Sequence, residues 1–167
     1  MKKVSIVGFS VASITMTESV EWVRERIRKS EFGHIVTMNP EIAWNGLQDE
    51  TFAASLRKAD LIVPDGNGML WAAKQLGHPL PERVAGYDLM QEMLKLAAEQ
   101  NYKVYFLGAA PGVANRAAMT ALERYPGLQI CGTHDGYFKA DEEAALVKSI
   151  RDVGTEMLFC ALGPPKP

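Results

Sequence analysis

Short apolar runs alternate with longer amphipathic segments along the whole of this chain of 167 residues. Runs that are short and apolar on both sides are typical of strands in a parallel sheet whose two faces are covered. The segments between them repeat apolar residues at helical spacing. The pattern predicts strands at 4–7, 34–38, 61–63, 104–107, 128–131 and 157–162. It predicts helices at about 15–29, 49–58, 68–76, 87–100, 111–125 and 141–153.

Local signals support this alternation of strands and helices. Thr15 and Glu18 have the spacing of a capping box at the start of the first helix. Pro111 suits the first turn of a later helix, where a missing backbone N–H costs nothing. Gly8 and Ser10 separate two short apolar pieces, which indicates a small extra antiparallel β element. The predicted fold class is α/β: a Rossmann-like, mostly parallel sheet of about six strands with helices on both faces.

The length and the absence of repeats or linkers indicate a single domain over 1–167. A strong apolar strand in "EMLFCALG" runs directly into "PPKP" and stops, so we expect a chain truncated at its C-terminus. The opening "MKKVSIVGFS" is interrupted by glycine and serine, and no run approaches the ~20 apolar residues of a membrane span. We therefore expect a cytoplasmic protein.

Charge and metal-ligand content argue against two classes of function. A formal net charge of -2 gives no reason to expect nucleic-acid binding. The basic residues within 24–29 lie on one predicted helix and are expected to form a solvated face. The three histidines are scattered and the two cysteines lack paired spacing, so the sequence predicts no metal site.

The cysteines and tryptophans are expected to be structural. Cys131 and Cys160 both lie in apolar, strand-like runs, which predicts buried free thiols and a reducing compartment. Trp22, Trp44 and Trp71 are expected to lie on helices and to be partly buried in the core.

Small, polar and bendable residues follow most of the predicted strands. The segments after the second to sixth strands are "TMNPE", "PDGNG", "LGAAPG", "THDGYF" and "GPPK". Open α/β sheets bind ligands at the carboxyl ends of their strands. Because these loops all fall at that edge, the sequence predicts a binding or catalytic site there.

Asp65 is the candidate for chemistry in the second of these loops. A carboxylate at a strand end is partly desolvated and can accept a proton from a sugar hydroxyl as a general base. The alternative is that Asp65 only caps the next helix or forms an Asx turn. Thr37 and Asn39 on a neighbouring loop bring the two interpretations to about equal weight. If Asp65 is a base, Gly66 and Gly68 would leave space for the sugar at the rim of the site, that is, at the carboxyl ends of the strands.

Three other features are candidates for binding a nucleotide. The turn from Gly108 to Gly112 resembles a strand-to-helix turn that presents backbone N–H groups to an anion, and an ordinary tight turn is the alternative. Arg83, in "PERVAGYD", could pair with a diphosphate or simply be solvated. Tyr137 could stack on a nucleobase or pack on a neighbouring strand.

Taken together, these loops resemble the WecG/TagA/CpsF family of bacterial glycosyltransferases. The matching segments are "VTMNPEIAW", "ADLIVPDGNGMLWAAKQLG", "PERVAGYDLM", "VYFLGAAPGVANRA" and "HDGYF". The opening "VSIVGFSVASITMTESV" and the start of a last motif at Gly163 match as well, so the resemblance covers essentially the whole chain in order. The branch that acts in wall teichoic acid synthesis is the most similar.

The resemblance implies an inverting, metal-independent transfer of N-acetylmannosamine from UDP-N-acetylmannosamine. The acceptor would be the 4-hydroxyl of N-acetylglucosamine on undecaprenyl diphosphate, reached by peripheral contact with the inner face of the cell membrane. The resemblance leaves open the uronic acid of that sugar, or glucose, as the donor sugar, and it is compatible with a homo-oligomer. Inversion needs one displacement and one carboxylate. No DxD metal motif lies near a strand end, which agrees with transfer that is independent of a metal.

By resemblance, each candidate residue takes a role. Asp65 would be the catalytic base, Thr37 and Asn39 would line the sugar pocket, and Asn67 would contact substrate. Arg83 would offset diphosphate charge. The nucleotide would be held by Gly108, Ala109, Gly112 and Tyr137. The family continues past its glycine-proline turn with a Gln-Glu pair and a tail that contacts the membrane, whereas this chain ends at Pro167.

Two other functions are compatible with the predicted fold. A nucleotide-dependent oxidoreductase would have GxGxxG after the first strand, where this chain has "GFSVAS". A phospho-receiver domain would use Asp65 as its phosphorylated residue, together with an acidic pair after the first strand to hold magnesium. "VGFS" offers no such pair.

Overall fold

The computed structural model describes residues 1–163 and divides them into two compact units. The first unit is Met1–Leu89 and the second is Met90–Gly163. Both contain helices and parallel strands, which confirms the predicted α/β class. Within the described residues the strands form one three-stranded and two two-stranded sheets, in place of one continuous sheet of about six strands. The single-domain assignment over 1–167 stays a prediction.

The first unit opens with a β-hairpin of β1 (Lys3–Ile6) and β2 (Phe9–Ala12). Val7 and Gly8 form its two-residue turn with positive φ angles of 44° and 85°. Turns of this kind match the twist of antiparallel strands. The hairpin confirms the small antiparallel element.

Helix α1 (Met16–Arg28) follows the hairpin and begins with the predicted capping box. The Thr15 hydroxyl accepts from the Glu18 N–H, and the Glu18 carboxylate accepts from the Thr15 N–H at 2.8 Å. The basic residues of this helix form exposed ion pairs with nearby glutamates, as expected for a solvated face.

The centre of the first unit is a pair of parallel strands. These are β3 (Ile35–Met38) and β4 (Leu61–Pro64), with Thr37 opposite Val63 and Met38 opposite Pro64. Helices α2 (Pro40–Gln48) and α3 (Glu50–Arg57) make the crossover between them. Helix α4 (Asn67–Gln75) follows β4, and α5 (Gly86–Gln100) begins in this unit and continues into the second.

Helix α2 was not among the predicted helical ranges, although Trp44, which lies in it, was expected to be helical. Asn39 is its N-cap, and the side-chain Oδ1 accepts from the Ile42 N–H at 2.8 Å, with Pro40 in the first turn. An asparagine followed by proline indicates the start of a helix as well as a loop. The sequence therefore contained the signal for the start of α2.

The second unit contains a parallel three-stranded sheet with β5 at its centre. Its strands are β5 (Lys103–Gly108), β6 (Gln129–His134) and β7 (Met157–Ala161), in the order β6-β5-β7. Helix α6 (Val113–Arg124) connects β5 to β6, and α7 (Glu143–Asp152) connects β6 to β7. Pro111 therefore precedes its helix by two positions and does not lie in the first turn.

Two tryptophans predicted to be partly buried are exposed. Trp44 is 61% exposed and Trp71 is 66% exposed. Both lie on helices that bury small or slender residues; in α2, for example, Gly46 lies against the ring of Phe9. A helix that packs so closely along one face leaves its largest side chain on the other.

The prediction for the thiols is partly wrong. Both are free, but Cys160 is exposed and Cys131 is half-buried. Cys160 lies on β7, an edge of the described three-stranded sheet, and has less cover than a central strand would provide. No helix among the described residues is long and apolar enough to cross a membrane.

Candidate active site

Asp65 directly follows β4, at the carboxyl end of the parallel pair. Its N–H donates to the Met38 carbonyl at 2.8 Å, which extends the pairing with β3 by one residue. The side chain is half-buried, and its Oδ2 accepts from the Gly86 N–H at 3.0 Å. Gly86 is the first residue of α5 and lies 21 positions further along the chain. The carboxylate is thus held in one orientation by a backbone donor.

The alternative in which Asp65 caps the following helix is wrong. The N-cap of α4 is Gly66, and it makes no side-chain capping bond. Gly66 has φ 89° and ψ 148°, a conformation that is essentially restricted to glycine. The glycine thus turns the chain sharply after Asp65, and the carboxylate binds the first N–H of α5 and none of α4 among the described bonds.

Gly68 does not keep the rim open. A Cβ at this position would lie 2.6 Å from Cγ of Pro40, so the proline ring already occupies that space. At Gly66 the nearest atom to a Cβ would be Pro40 Cδ at 3.7 Å, an ordinary contact. Gly68 therefore allows close packing of α4 on the start of α2, and only Gly66 retains the predicted openness.

Thr37 and the two asparagines lie in the same unit as Asp65. A Cβ on Gly86 would lie 2.9 Å from Oγ1 of Thr37, so the threonine side chain packs directly on the residue that binds Asp65. Asn39 is half-buried with its Oδ1 committed to the cap of α2. Asn67 is exposed at the first position of α4. Thr37 therefore lies close to Asp65, because both are next to Gly86. Asn39 caps α2, so it has a structural role in addition to any role in binding.

The segment that contains Arg83 runs beside the end of β4. The Val84 N–H donates to the Pro64 carbonyl at 2.8 Å, two residues before the bond from Gly86 to Asp65. The Glu82 carboxylate accepts from the N–H of Met16, the first residue of α1. These bonds anchor the two residues on either side of Arg83, Glu82 through its side chain and Val84 through its backbone.

The Arg83 side chain itself is exposed. Its Nη2 lies 3.8 Å from Oδ2 of Asp88, and the two side chains are 46% and 58% exposed. Exposed pairs at this distance contribute at most about 1 kcal/mol. The guanidinium can therefore exchange Asp88 for a phosphate at little cost.

The turn after β5 is shaped by close approach of the backbone. A Cβ on Gly108 would lie 2.4 Å from the Ala161 carbonyl oxygen, and Gly108 has φ 127°. The Ala109 N–H donates to that same carbonyl at 2.9 Å, and Ala109 has the unusual φ of 59°. Gly112 is the left-handed N-cap of α6 and makes no side-chain capping bond. Backbone amides at this helix start are therefore not satisfied by a capping side chain.

The loop after β6 lies against this turn within the second unit. The Gly136 N–H donates to the Ala109 carbonyl at 2.9 Å. The Tyr137 N–H donates to Oδ1 of Asp135 at 2.8 Å, so Asp135 fixes the turn. The Tyr137 side chain is 76% exposed, which rules out the alternative of packing on a strand.

The residues that the sequence did not indicate are a backbone donor, a carboxylate acceptor and a spacer. Gly86 provides the N–H that binds Asp65, Glu82 ties the Arg83 segment to α1, and Pro40 fills the space beside Gly68. All three lie within motifs already quoted, but nothing in their spacing indicates the partner. Among residues 1–163 no group of three or more His, Cys, Asp or Glu side chains could hold a metal ion.

Comparison with known proteins gives one family. The model of the glycosyl transferase WecG/TagA/CpsF family matches residues 4–167. One curated relative is N-acetylglucosaminyldiphosphoundecaprenol N-acetyl-beta-D-mannosaminyltransferase of Bacillus spizizenii, 40% identical over 78% of this chain and 50% of its own length. The Staphylococcus aureus protein of the same name is 32% identical over 98% of this chain and 65% of its own length. The chain thus spans about half to two thirds of these relatives.

Proposed function

Since this chain belongs to the WecG/TagA/CpsF family of glycosyl transferases, we propose that it transfers N-acetylmannosamine from its UDP conjugate to a lipid-linked acceptor. The acceptor is the 4-hydroxyl of N-acetylglucosamine on undecaprenyl diphosphate. The relatives' names, which state a mannosaminyltransferase and a diphosphoundecaprenol, support both sugars and the lipid. The product enters wall teichoic acid or a related surface polysaccharide.

The proposed reaction is a single displacement at the anomeric carbon of the donor. The acceptor oxygen forms a bond to that carbon while the bond from the carbon to the UDP oxygen breaks. The bonding electron pair leaves with UDP, and the acceptor's hydroxyl proton goes to the Asp65 carboxylate. One observation carries this assignment: Asp65 is a half-buried carboxylate at a strand end, fixed through one oxygen by the Gly86 N–H.

The other candidate residues are assigned to binding. Negative charge grows on UDP as it leaves, and without a metal it needs Arg and backbone N–H donors. In the first unit we assign Arg83 to this charge. In the second unit, the turn at 108–112 is assigned to an anion and the exposed Tyr137 ring to a base. Thr37 with Asn39 and Asn67 is assigned to the sugars.

We also propose a location and an assembly. The acceptor's lipid requires the reaction to occur at a membrane surface, so the protein would act in the cytoplasm as a peripheral protein on the inner face of the cell membrane. Self-association into a homo-oligomer is compatible with this assignment.

The alternative functions have no observation in their favour. After β1 the chain turns into the antiparallel strand β2, so the first strand does not lead to a glycine-rich helix start for a dinucleotide. The same hairpin offers no acidic pair for a phospho-receiver's magnesium.

Calorimetric titration with UDP tests the proposal. We expect binding that is equal with magnesium and with a chelator, and that weakens about tenfold in Arg83→Ala, the loss expected when one charge-assisted contact is removed. Arg24→Ala is the matched control, because Arg24 is another exposed arginine paired with an acidic neighbour, Glu21, and should bind UDP like the wild type. Binding that requires magnesium, or no binding of UDP, would contradict the proposal.

A further inference from the structure

Gly86 connects three features of the first unit. Its N–H binds Oδ2 of Asp65, a Cβ added to it would meet the Thr37 side chain, and it begins α5. Gly86 lies in a helix, and it is not among the glycines with positive φ, so its backbone conformation alone does not require glycine. The requirement for glycine must come from its surroundings.

We propose that Gly86 is a positioning residue for the catalytic base. Its N–H fixes Oδ2 and so leaves Oδ1 to receive the acceptor's proton. Among residues 1–163, Oδ2 is the only carboxylate oxygen of Asp65 with a hydrogen-bond partner. The missing Cβ lets Thr37 and the start of α5 approach each other closely. This inference rests on the proposed transferase function and adds a residue to it.

The geometry indicates what a side chain at this position would do. A Cβ on Gly86 would lie 2.9 Å from Oγ1, 3.2 Å from Cβ and 3.3 Å from Cγ2 of Thr37. The first distance is shorter than real Cβ contacts allow, so Thr37 or the first turn of α5 must move. A move of α5 carries the N–H away from Oδ2, and a small misplacement of a reacting group lowers rate strongly.

Hydrogen exchange tests the bond without any turnover. In Asp65→Ala we expect the Gly86 amide to exchange about tenfold faster or more, because its acceptor is gone. The Val84 amide is an internal control, since it donates to the Pro64 carbonyl and should keep its protection if the variant stays folded. A Gly86 amide that exchanges equally fast with and without the Asp65 carboxylate, while Val84 stays protected, would overturn the inference.

Kinetics test the positioning role. We expect Gly86→Ala to lower kcat about tenfold while the donor KM changes little. In a Thr37→Ala background the same substitution should cost much less, because Oγ1 and Cγ2 of Thr37 are absent. Gly46→Ala is the matched control: its Cβ would lie 2.6 Å from the Phe9 ring, so it should lower the melting temperature but not kcat.

The outcomes separate this inference from the proposed function. A wild-type protein without transferase activity would contradict the function, and the exchange experiment would still test the bond. An active wild type whose kcat is unchanged in Gly86→Ala would contradict the positioning role alone. An equal loss of kcat in both Thr37 backgrounds would contradict it as well, because the effect would not act through the close contact.

Discussion

The two candidate loop regions are built by different means. Around Asp65 in the first unit, a side-chain carboxylate is fixed by a backbone N–H, and neighbouring side chains pack around that bond. At the turn after β5 in the second unit, the bonds between described residues join backbone groups, such as the Ala109 N–H and the Ala161 carbonyl. There, Gly108, Ala109 and Gly112 all have positive φ, and the backbone lies against Ala161.

The difference corresponds to two kinds of chemistry. Accepting a proton requires one basic atom in a fixed place, which a carboxylate side chain provides. Holding an anion requires several N–H dipoles that point the same way, which the backbone of a helix start provides. Substitutions in the two regions should therefore fail differently: around Asp65 by loss of rate, and at the turn by loss of folding.

The largest expected effect is that of Asp65→Asn. Removal of the base should lower kcat about a thousandfold without much change in stability, because the amide oxygen can still accept from Gly86. The measurement is steady-state transfer from the UDP-sugar to a soluble acceptor analogue. Asp60→Asn is the matched control, since Asp60 also accepts a backbone N–H, that of His34 at 2.8 Å, and should keep normal kcat. Normal turnover in Asp65→Asn would contradict the role of a base.

Gly108→Ala, in contrast, should lower the stability of the fold. The added Cβ meets a carbonyl oxygen at 2.4 Å and the backbone has φ 127°, so we expect the free energy of unfolding to fall by about 3 kcal/mol. Among the described residues, a Cβ on Gly112 would meet only Nη1 of Arg116, at 3.9 Å, so Gly112→Ala has mainly the strain of its φ of 82° and should lose about 1 kcal/mol. Urea unfolding measures both. Equal losses would show that close approach of the backbone is not what requires Gly108.

Substitutions of Asn39 should affect both stability and substrate binding. Asn39→Ala removes the cap of α2 and should cost about 1 kcal/mol of stability. Asn39→Asp keeps a capping oxygen and should keep stability. If Asn39 also contacts a sugar, the aspartate variant should still raise KM. An aspartate variant with unchanged stability and unchanged KM would leave Asn39 with its capping role alone.

The smallest expected effect is at the α1 capping box. The Thr15 N–H and hydroxyl bind the Glu18 carboxylate and hold its pKa below the usual range. A lowered folded-state pKa contributes stability above the unfolded value of about 4.3 and loses it as the pH falls through the folded value. Thermal melts of Glu18→Gln and wild type from pH 7 to pH 2 should differ slightly at neutral pH and converge in acid. A difference that grows in acid would contradict this sign.

The sequence predicted those parts of the molecule that depend on local pattern. The strand before Asp65, the capping box at Thr15 and the hairpin at Gly8 each follow from neighbouring residues. The bond from Gly86 to Asp65 could not be predicted, because it joins positions 21 residues apart and glycine has no side chain to indicate a donor. The exposure of Trp71 depends on how closely its helix packs, which apolar spacing does not determine.

The most direct test of the account is the anomeric configuration of the transferred sugar, measured by NMR on the product. One base and one displacement predict inversion, so an α-linked UDP donor should yield a β-linked product, with or without magnesium. A product of retained configuration would exclude a single displacement from the opposite face of the anomeric carbon, and so would contradict the proposed reaction in which Asp65 is the single base.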